Sequence, residues 1–215
     1  VGKALVEIDA RGLHYRELNR QIRMAAQQGA TYITLCNVNG QRYIGDGLPG
    51  RLTINVLGVP GNDLGAFMDG PTILVNSNAQ DGVANTMNNG TIVIRGDAGD
   101  VLGYGMRGGK VFVIGDVGYR SAIHMKAYAD KTPAIVIGGR AGDFLAEYMA
   151  GGIVVVLGMN VPAGEPLTGE YVGTGMHGGS VYIRGIVERC QLGKEVGAVE
   201  PAEQDYAMLQ SLLGE

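Results

Sequence analysis

Short apolar strands recur along this chain at nearly equal intervals, and no other feature restricts its fold as strongly. They begin just after positions 50, 70, 90, 109, 132, 152 and 179. The clearest are Gly90-Thr-Ile-Val-Ile-Arg-Gly96, Gly109-Lys-Val-Phe-Val-Ile-Gly115, Gly152-Ile-Val-Val-Val-Leu-Gly158 and Gly179-Ser-Val-Tyr-Ile-Arg-Gly185. The steps are 20, 20, 19, 23, 20 and 27 residues, a unit of about twenty with longer insertions. Methionines fall in phase with the strands: Met68, Met87, Met106, Met125, Met149 and Met176 each sit near the end of a unit. Six of the nine methionines therefore share one repeat position, which marks a stacked interior ladder.

A unit this short, with five-residue strands and no helical stretch, cannot bury its apolar face alone. Stacking units buries it, so the chain is predicted to be mainly β, a right-handed parallel β-helix of about seven coils. At about 4.8 Å per coil the rod would be roughly 33 Å long. Strand side chains alternate between faces. Two columns are assigned to the bore: Leu52, Thr72, Ile92, Val111, Ala134, Val154 and Val181, then Ile54, Leu74, Ile94, Val113, Val136, Val156 and Ile183. The column between them, Thr53, Ile73, Val93, Phe112, Ile135, Val155 and Tyr182, faces outward. It is too apolar for a solvated face, so something is expected to cover it.

The ends break the pattern. Lys3 to Asp9 alternates like a strand, and His14 to Gln28 reads as a helix with Leu18, Ile22 and Ala25 on one face and Gly29 as its stop. Thr31 to Val38 and Gln41 to Ile44 are expected as a hairpin around Asn39-Gly40. Pro201 to Leu213 reads as a short helix. The division is thus an α/β cap over 1–49, a β-helix over 50–190, and a tail with a short helix over 191–215. Both ends could cover the outer column or close the bore, where strand edges would otherwise stay unpaired.

Composition narrows the function classes. Lys and Arg number 17 against 21 Asp and Glu, a net charge of −4, which argues against a nucleic-acid binder. The 37 glycines call for many tight turns. Cys36 and Cys190 lie far apart with three histidines in the whole chain, too few for a structural zinc or an iron–sulfur cluster. No disulfide framework or long apolar run points to secretion or membrane spanning, so the cytoplasm is the expected location.

Several motifs suggest chemistry and are better read as turns. Gly103-Tyr-Gly-Met-Arg-Gly108 and Gly173-Thr-Gly-Met-His-Gly178 match GxGxxG, but a strand follows each, where dinucleotide binding needs a helix N-terminus. Gly96-Asp-Ala-Gly-Asp100 and Gly138-Gly-Arg-Ala-Gly-Asp143 resemble calcium-binding β-helix turns, which need the carboxylate at one place in successive turns. Here the spacing is read as drifting. None of Ser77, Ser121, Ser180 and Ser211 sits in a nucleophile elbow. His124 and His177 flank ladder methionines as surface or packing residues, and no acid/base carboxylate pair stands out.

Written out as repeats, the sequence resembles the β-helical C-terminal domain of the glutamate synthase large subunit, the GXGXG domain. The resemblance rests on Gln41-Arg-Tyr-Ile-Gly-Asp-Gly-Leu48, Gly61-Asn-Asp-Leu-Gly-Ala-Phe-Met-Asp-Gly70, the glycine-rich run from Gly96 to Gly109, Gly173-Thr-Gly-Met-His-Gly-Gly179 and Leu192-Gly-Lys-Glu-Val196. It implies a non-catalytic structural and coupling subunit, with a glutaminase subunit and an FMN/iron–sulfur synthase subunit as partners. In that family the amide-transfer cysteine, the flavin and the cluster belong to the other parts. The resemblance therefore assigns this chain no catalytic residue, metal ligand or cofactor. The β-helix subunit of formylmethanofuran dehydrogenase is similar too and would share the Gly-x-Gly-Met turns. An independent small-molecule hydrolase is the alternative of another class.

Overall fold

The computed structural model describes residues 5–214. Its strands are β1 (Leu5–Asp9), β2 (Tyr32–Asn39), β3 (Thr53–Val59), β4 (Asp69–Val75), β5 (Asn89–Ile94), β6 (Lys110–Val113), β7 (Ala134–Ile137), β8 (Ala150–Val156) and β9 (Gly178–Ile183). They form one nine-stranded sheet in chain order, with every neighbouring pair parallel. Parallel neighbours that are also consecutive require the chain to return to its starting edge after each strand, which makes a solenoid. There are about six turns rather than seven coils, because the seven strands β3 to β9 enclose six complete circuits.

The register shows the true period. Thr53, Thr72, Thr91 and Lys110 are successive Cα partners. Equivalent turn residues likewise lie 19 apart in sequence. The longer steps of 24 and 27 come from excursions at 126–133 and 159–166. The methionines already keep this spacing, and the strand anchors did not, since Gly70 and Gly90 precede irregular pairings at the start of β4 and β5.

That one-residue difference corrects the bore. The column running through the sheet is Ile33, Ile54, Ile73, Ile92, Val111, Ile135, Val154 and Val181. Its companion is Leu35, Val56, Val75, Ile94, Val113, Ile137, Val156 and Ile183. Ile73 and Ile135 therefore face inward and are fully buried, while Leu74 and Val136 take the outward places. In the first coil the shift is two residues, which keeps the face, so Leu52 and Ile54 are both buried. A one-residue slip exchanges faces because the side-chain period is two.

Met68, Met87, Met106, Met125 and Met149 have no exposed surface, as the ladder requires. Met176 is only partly buried, since it lies in the last coil. The bridge Ala79, Ala98, Val117, Ala141 and Thr168 adds a further inner column on another side of the coil.

The N-terminal hairpin does not form. β2 pairs in parallel with both β1 and β3, and 41–44 is not a strand. Asn39-Gly40 is instead a coil corner, with Gly40 N–H donating to Val59 O at 2.8 Å. β1 and β2 extend the solenoid sheet, joined by the crossover helix α1 (Tyr15–Gln27), whose N-cap is His14. Lys3 and Ala4 lie outside the described residues. Leu18, Ile22 and Ala25 of α1 are buried in the same core as the bore columns.

The outer sheet face is covered by the chain's own C-terminus over its last strands. Helix α2 (Glu203–Leu213) buries Leu212 against Ala134, Val136 and Val155, with Met208 and Leu209 beside Phe112, Ile153 and Tyr182. The Tyr182 hydroxyl donates to Asp205 Oδ1 at 2.7 Å, and Ala202 N–H donates to Asp205 Oδ2 at 2.7 Å. These donors, the phenol first, hold the Asp205 carboxyl below its ordinary range, while burial and the carboxylate push the Tyr182 phenol up.

The pH window of this seat follows from the two directions. Asp205 stabilises α2 fully above about pH 3.9, and that support is lost as pH falls through its lowered value. Tyr182 contributes below about pH 10 and loses its contribution as pH rises through its raised value. Hydrogen-exchange protection of 203–213 should therefore fall at both extremes before that of β5. Asp205→Asn should remove the acid limb; an unchanged acid profile in that variant would contradict the assignment.

Candidate functional surface

Each coil turns one corner on an alternating backbone. Three residues spaced by two take left-handed φ values: Val101 (53°), Gly103 (71°) and Gly105 (57°) in one coil, and Arg120 (54°), Ala122 (63°) and His124 (55°) in the next. The same pattern recurs at Phe144, Ala146 and Tyr148, and at Tyr171, Gly173 and Gly175. Left-handed φ is costly for residues other than glycine, roughly 1–2 kcal/mol each. The cost is offset because the N–H of the middle left-handed residue reaches the coil before, and those of the outer two reach the coil after. Ala122 N–H donates to Leu102 O at 2.7 Å, and His124 N–H to Glu147 O at 3.0 Å. The middle position must be small: a Cβ on Gly103 would overlap Ile135 Cδ1 in the bore.

Both GxGxxG matches are corners of this kind, Gly103 to Gly108 and Gly173 to Gly178. The first leads into β6 and the second runs into β9, so neither faces a helix N-terminus. That is the geometry of a solenoid corner and not of a pyrophosphate cradle.

The Asp-bearing turns stack from coil to coil. Asn78, Asp97 and Asp116 are stacked at one place in successive coils, as are Asp81 and Asp100, so their spacing does not drift. Each side chain accepts the backbone N–H of its counterpart one coil on. Asp116 N–H donates to Asp97 Oδ1 at 2.9 Å and Arg140 N–H to Asp116 Oδ1 at 2.7 Å. Asp100 N–H donates to Asp81 Oδ1 at 2.9 Å and Tyr119 N–H to Asp100 Oδ1 at 2.8 Å. A carboxylate aimed at backbone N–H groups is a coil clamp. Among the described residues no group of three or more His, Cys, Asp or Glu could hold a metal ion. The signal in the sequence was Gly-Asp-x-Gly-Asp: a Cβ on Gly99, Gly115 or Gly118 would overlap the clamping carboxylate of the preceding coil.

The remaining candidates are dispersed. Ser121 is buried in an otherwise apolar column and its hydroxyl donates to Gly118 O at 3.3 Å. Cys36 and Cys190 are free thiols. Ser77 is half-buried, and Ser180, Ser211 and His177 are exposed, on different parts of the coil.

The corner itself carries the most distinctive surface. Tyr43, Phe67, Tyr104, Tyr148 and Tyr171 are all exposed on it. His124 stacks on Tyr148 with centroids 5.3 Å apart and meets Tyr104 edge-on at 5.8 Å. Phe144 stacks on Tyr171 at 4.9 Å, and the Arg120 guanidinium lies 5.1 Å from the Phe144 centroid. Beneath them Glu147 is buried, its Oε2 3.5 Å from Arg120 Nε. Stacking coils repeats the corner, so residues far apart in sequence become one stripe of aromatic and arginine side chains. Such side chains are enriched where proteins dock. No helix among the described residues is long and apolar enough to cross a membrane.

Comparison with known proteins agrees with this architecture. The GXGXG motif matches residues 12–204, which takes in the crossover helix, every coil and the start of α2. The chain is also 51% identical over 219 residues to the uncharacterized protein MJ1350 of Methanocaldococcus jannaschii, covering 100% of this chain and 84% of that one. With the match spanning the whole solenoid, the chain belongs to the GXGXG motif family, that of the C-terminal domain of the glutamate synthase alpha chain.

Proposed function

We propose that this chain is a structural and coupling subunit of a glutamate synthase-type complex. In this reading it docks a glutaminase and an FMN/iron–sulfur synthase that turn glutamine and 2-oxoglutarate into glutamate. The observation that carries the proposal is the family match over 12–204, which spans the solenoid and its crossover helix. The rod's construction supports it. A scaffold must hold two partners at a fixed separation, and stacked coils clamped by carboxylates resist bending along their axis.

The docking face in this proposal is the aromatic corner. The outward sheet column is partly occupied by α2, whereas Tyr104, Tyr148 and Tyr171 remain exposed. A stable interface buries at least about 1,000 Å² in total, which the corner of several stacked coils can supply. The β-helix would set the distance between the two active sites, so that ammonia released at one reaches the other without loss to water.

Reconstitution tests the proposal. Glutamine-dependent glutamate formation should fall sharply when this chain is omitted, while the isolated glutaminase retains hydrolysis. If the other two components assemble and couple fully without it, the scaffold role is wrong. A Tyr104→Ala, Tyr148→Ala double variant should fold normally and weaken assembly; full assembly by that variant would move the docking face elsewhere.

A further inference from the structure

Two Asn-Gly pairs occur in the chain, Asn39-Gly40 and Asn89-Gly90, and the fold places them in opposite chemical situations. In the first, Gly40 N–H is committed to Val59 O at 2.8 Å, and Asn39 N–H to Gln41 Oε1 at 2.6 Å. In the second, Gly90 N–H donates to Oδ1 of the adjacent Asn89 at 2.9 Å. That contact places the Gly90 nitrogen beside the Asn89 side-chain amide, whose carbon is one bond from Oδ1. Asn89 is exposed and opens β5 where its pairing with β4 is irregular, so water reaches it and the ladder does not pin it tightly.

We propose that Asn89 is a site of spontaneous deamidation, in which the Gly90 nitrogen converts the side-chain amide to a carboxylate. The Gly90 nitrogen bonds to Asn89 Cγ and loses its proton. The Cγ–N bond of the side-chain amide breaks and ammonia leaves, closing a five-membered imide. Water then opens the imide at either carbonyl, giving aspartate or an isoaspartyl linkage at 89. No electrons change hands, and water is the one co-reactant.

The fold keeps the reactive pair in place. Gly90 has φ of 108°, and a Cβ there would overlap Pro71 O, so the coil demands glycine at 90. Glycine is also the residue that least shields its own nitrogen from the amide. Only a change at 89 could remove the reaction without breaking the coil. The new carboxylate would stand opposite Asp69, the Cα partner of Asn89, in a shallow depression also lined by Lys110 and Lys131. Lys131 already pairs with Asp69, Nζ to Oδ1 3.5 Å. The modification therefore sets a second negative charge against an existing ion pair on the coil surface.

Peptide mapping by mass spectrometry after incubation of the full chain in mildly alkaline buffer tests this. Conversion at Asn89 should run about tenfold or more faster than at Asn39 in the folded protein. In denaturant the two rates should converge, because the sequence pair is the same. Isoaspartyl product at 89 should appear in the wild type and be absent from Asn89→Gln. Equal rates at the two sites in the folded chain, faster conversion at Asn39, or no conversion at Asn89 over a period that converts the unfolded chain would each overturn the proposal.

Discussion

Met106→Asp is expected to yield no folded protein. Met106 lies mid-solenoid with no exposed surface, between Met87 and Met125, which are equally buried. A carboxylate there meets neither a cation nor a donor, and a buried unpaired charge costs several kcal/mol even after relaxation. A domain's whole stability is about 5–15 kcal/mol. The position aggravates the loss, because each coil is supported only by its neighbours and a central defect uncouples the two halves. Met106→Ala leaves the charge out and should cost about 2–5 kcal/mol through lost transfer energy and a cavity. Met106→Leu keeps the volume and should cost less than about 1.5 kcal/mol. Soluble yield and thermal melting by circular dichroism give the order. Soluble Met106→Asp with an unchanged melting temperature would remove the ladder from the interior.

Gly118→Ala should destabilise the chain by about 2–4 kcal/mol, large for one added methyl group on a turn. The new Cβ would overlap Asp100 Oδ1 and lie 2.9 Å from Asp100 N, so the side chain must leave and the backbone must also give. Displacing the carboxylate forfeits its bond to Tyr119 N–H, 2.8 Å long in the native coil. Removing Asp100 first should change the outcome. In an Asp100→Gly background the overlap with the carboxylate is gone and only the tight backbone contact remains, so Gly118→Ala should then cost at least about 1 kcal/mol less than in the wild type. Denaturant melts of the four proteins close the cycle. Additive effects would mean that the carboxylate does not clamp this turn.

The same coil geometry marks the boundary between local and long-range information. The repeating strands, the methionine ladder and the family resemblance were legible in the sequence, because each depends on a pattern that recurs once per coil. The methionines gave the period more faithfully than the strands did. A fully enclosed site must be filled at every turn, whereas a glycine before a strand can shift along an irregular pairing, as Gly70 and Gly90 do.

What the sequence left undecided were relations between coils. Whether Ile73 or Leu74 enters the bore depends on a one-residue register against β3, and both are equally apolar. Asn39-Gly40 carries a hairpin signal, yet parallel pairing of β2 with β1 and β3 overrides it. Asp97 and Asp116 read as ordinary turn residues until stacking puts each over the next N–H. The aromatic stripe likewise exists only because Tyr104, His124 and Tyr148, from three coils, are brought side by side. Local chemistry determined that this chain would coil; only the stacking of coils decided which side chains meet, since contacts between coils carry no periodic mark within any one of them.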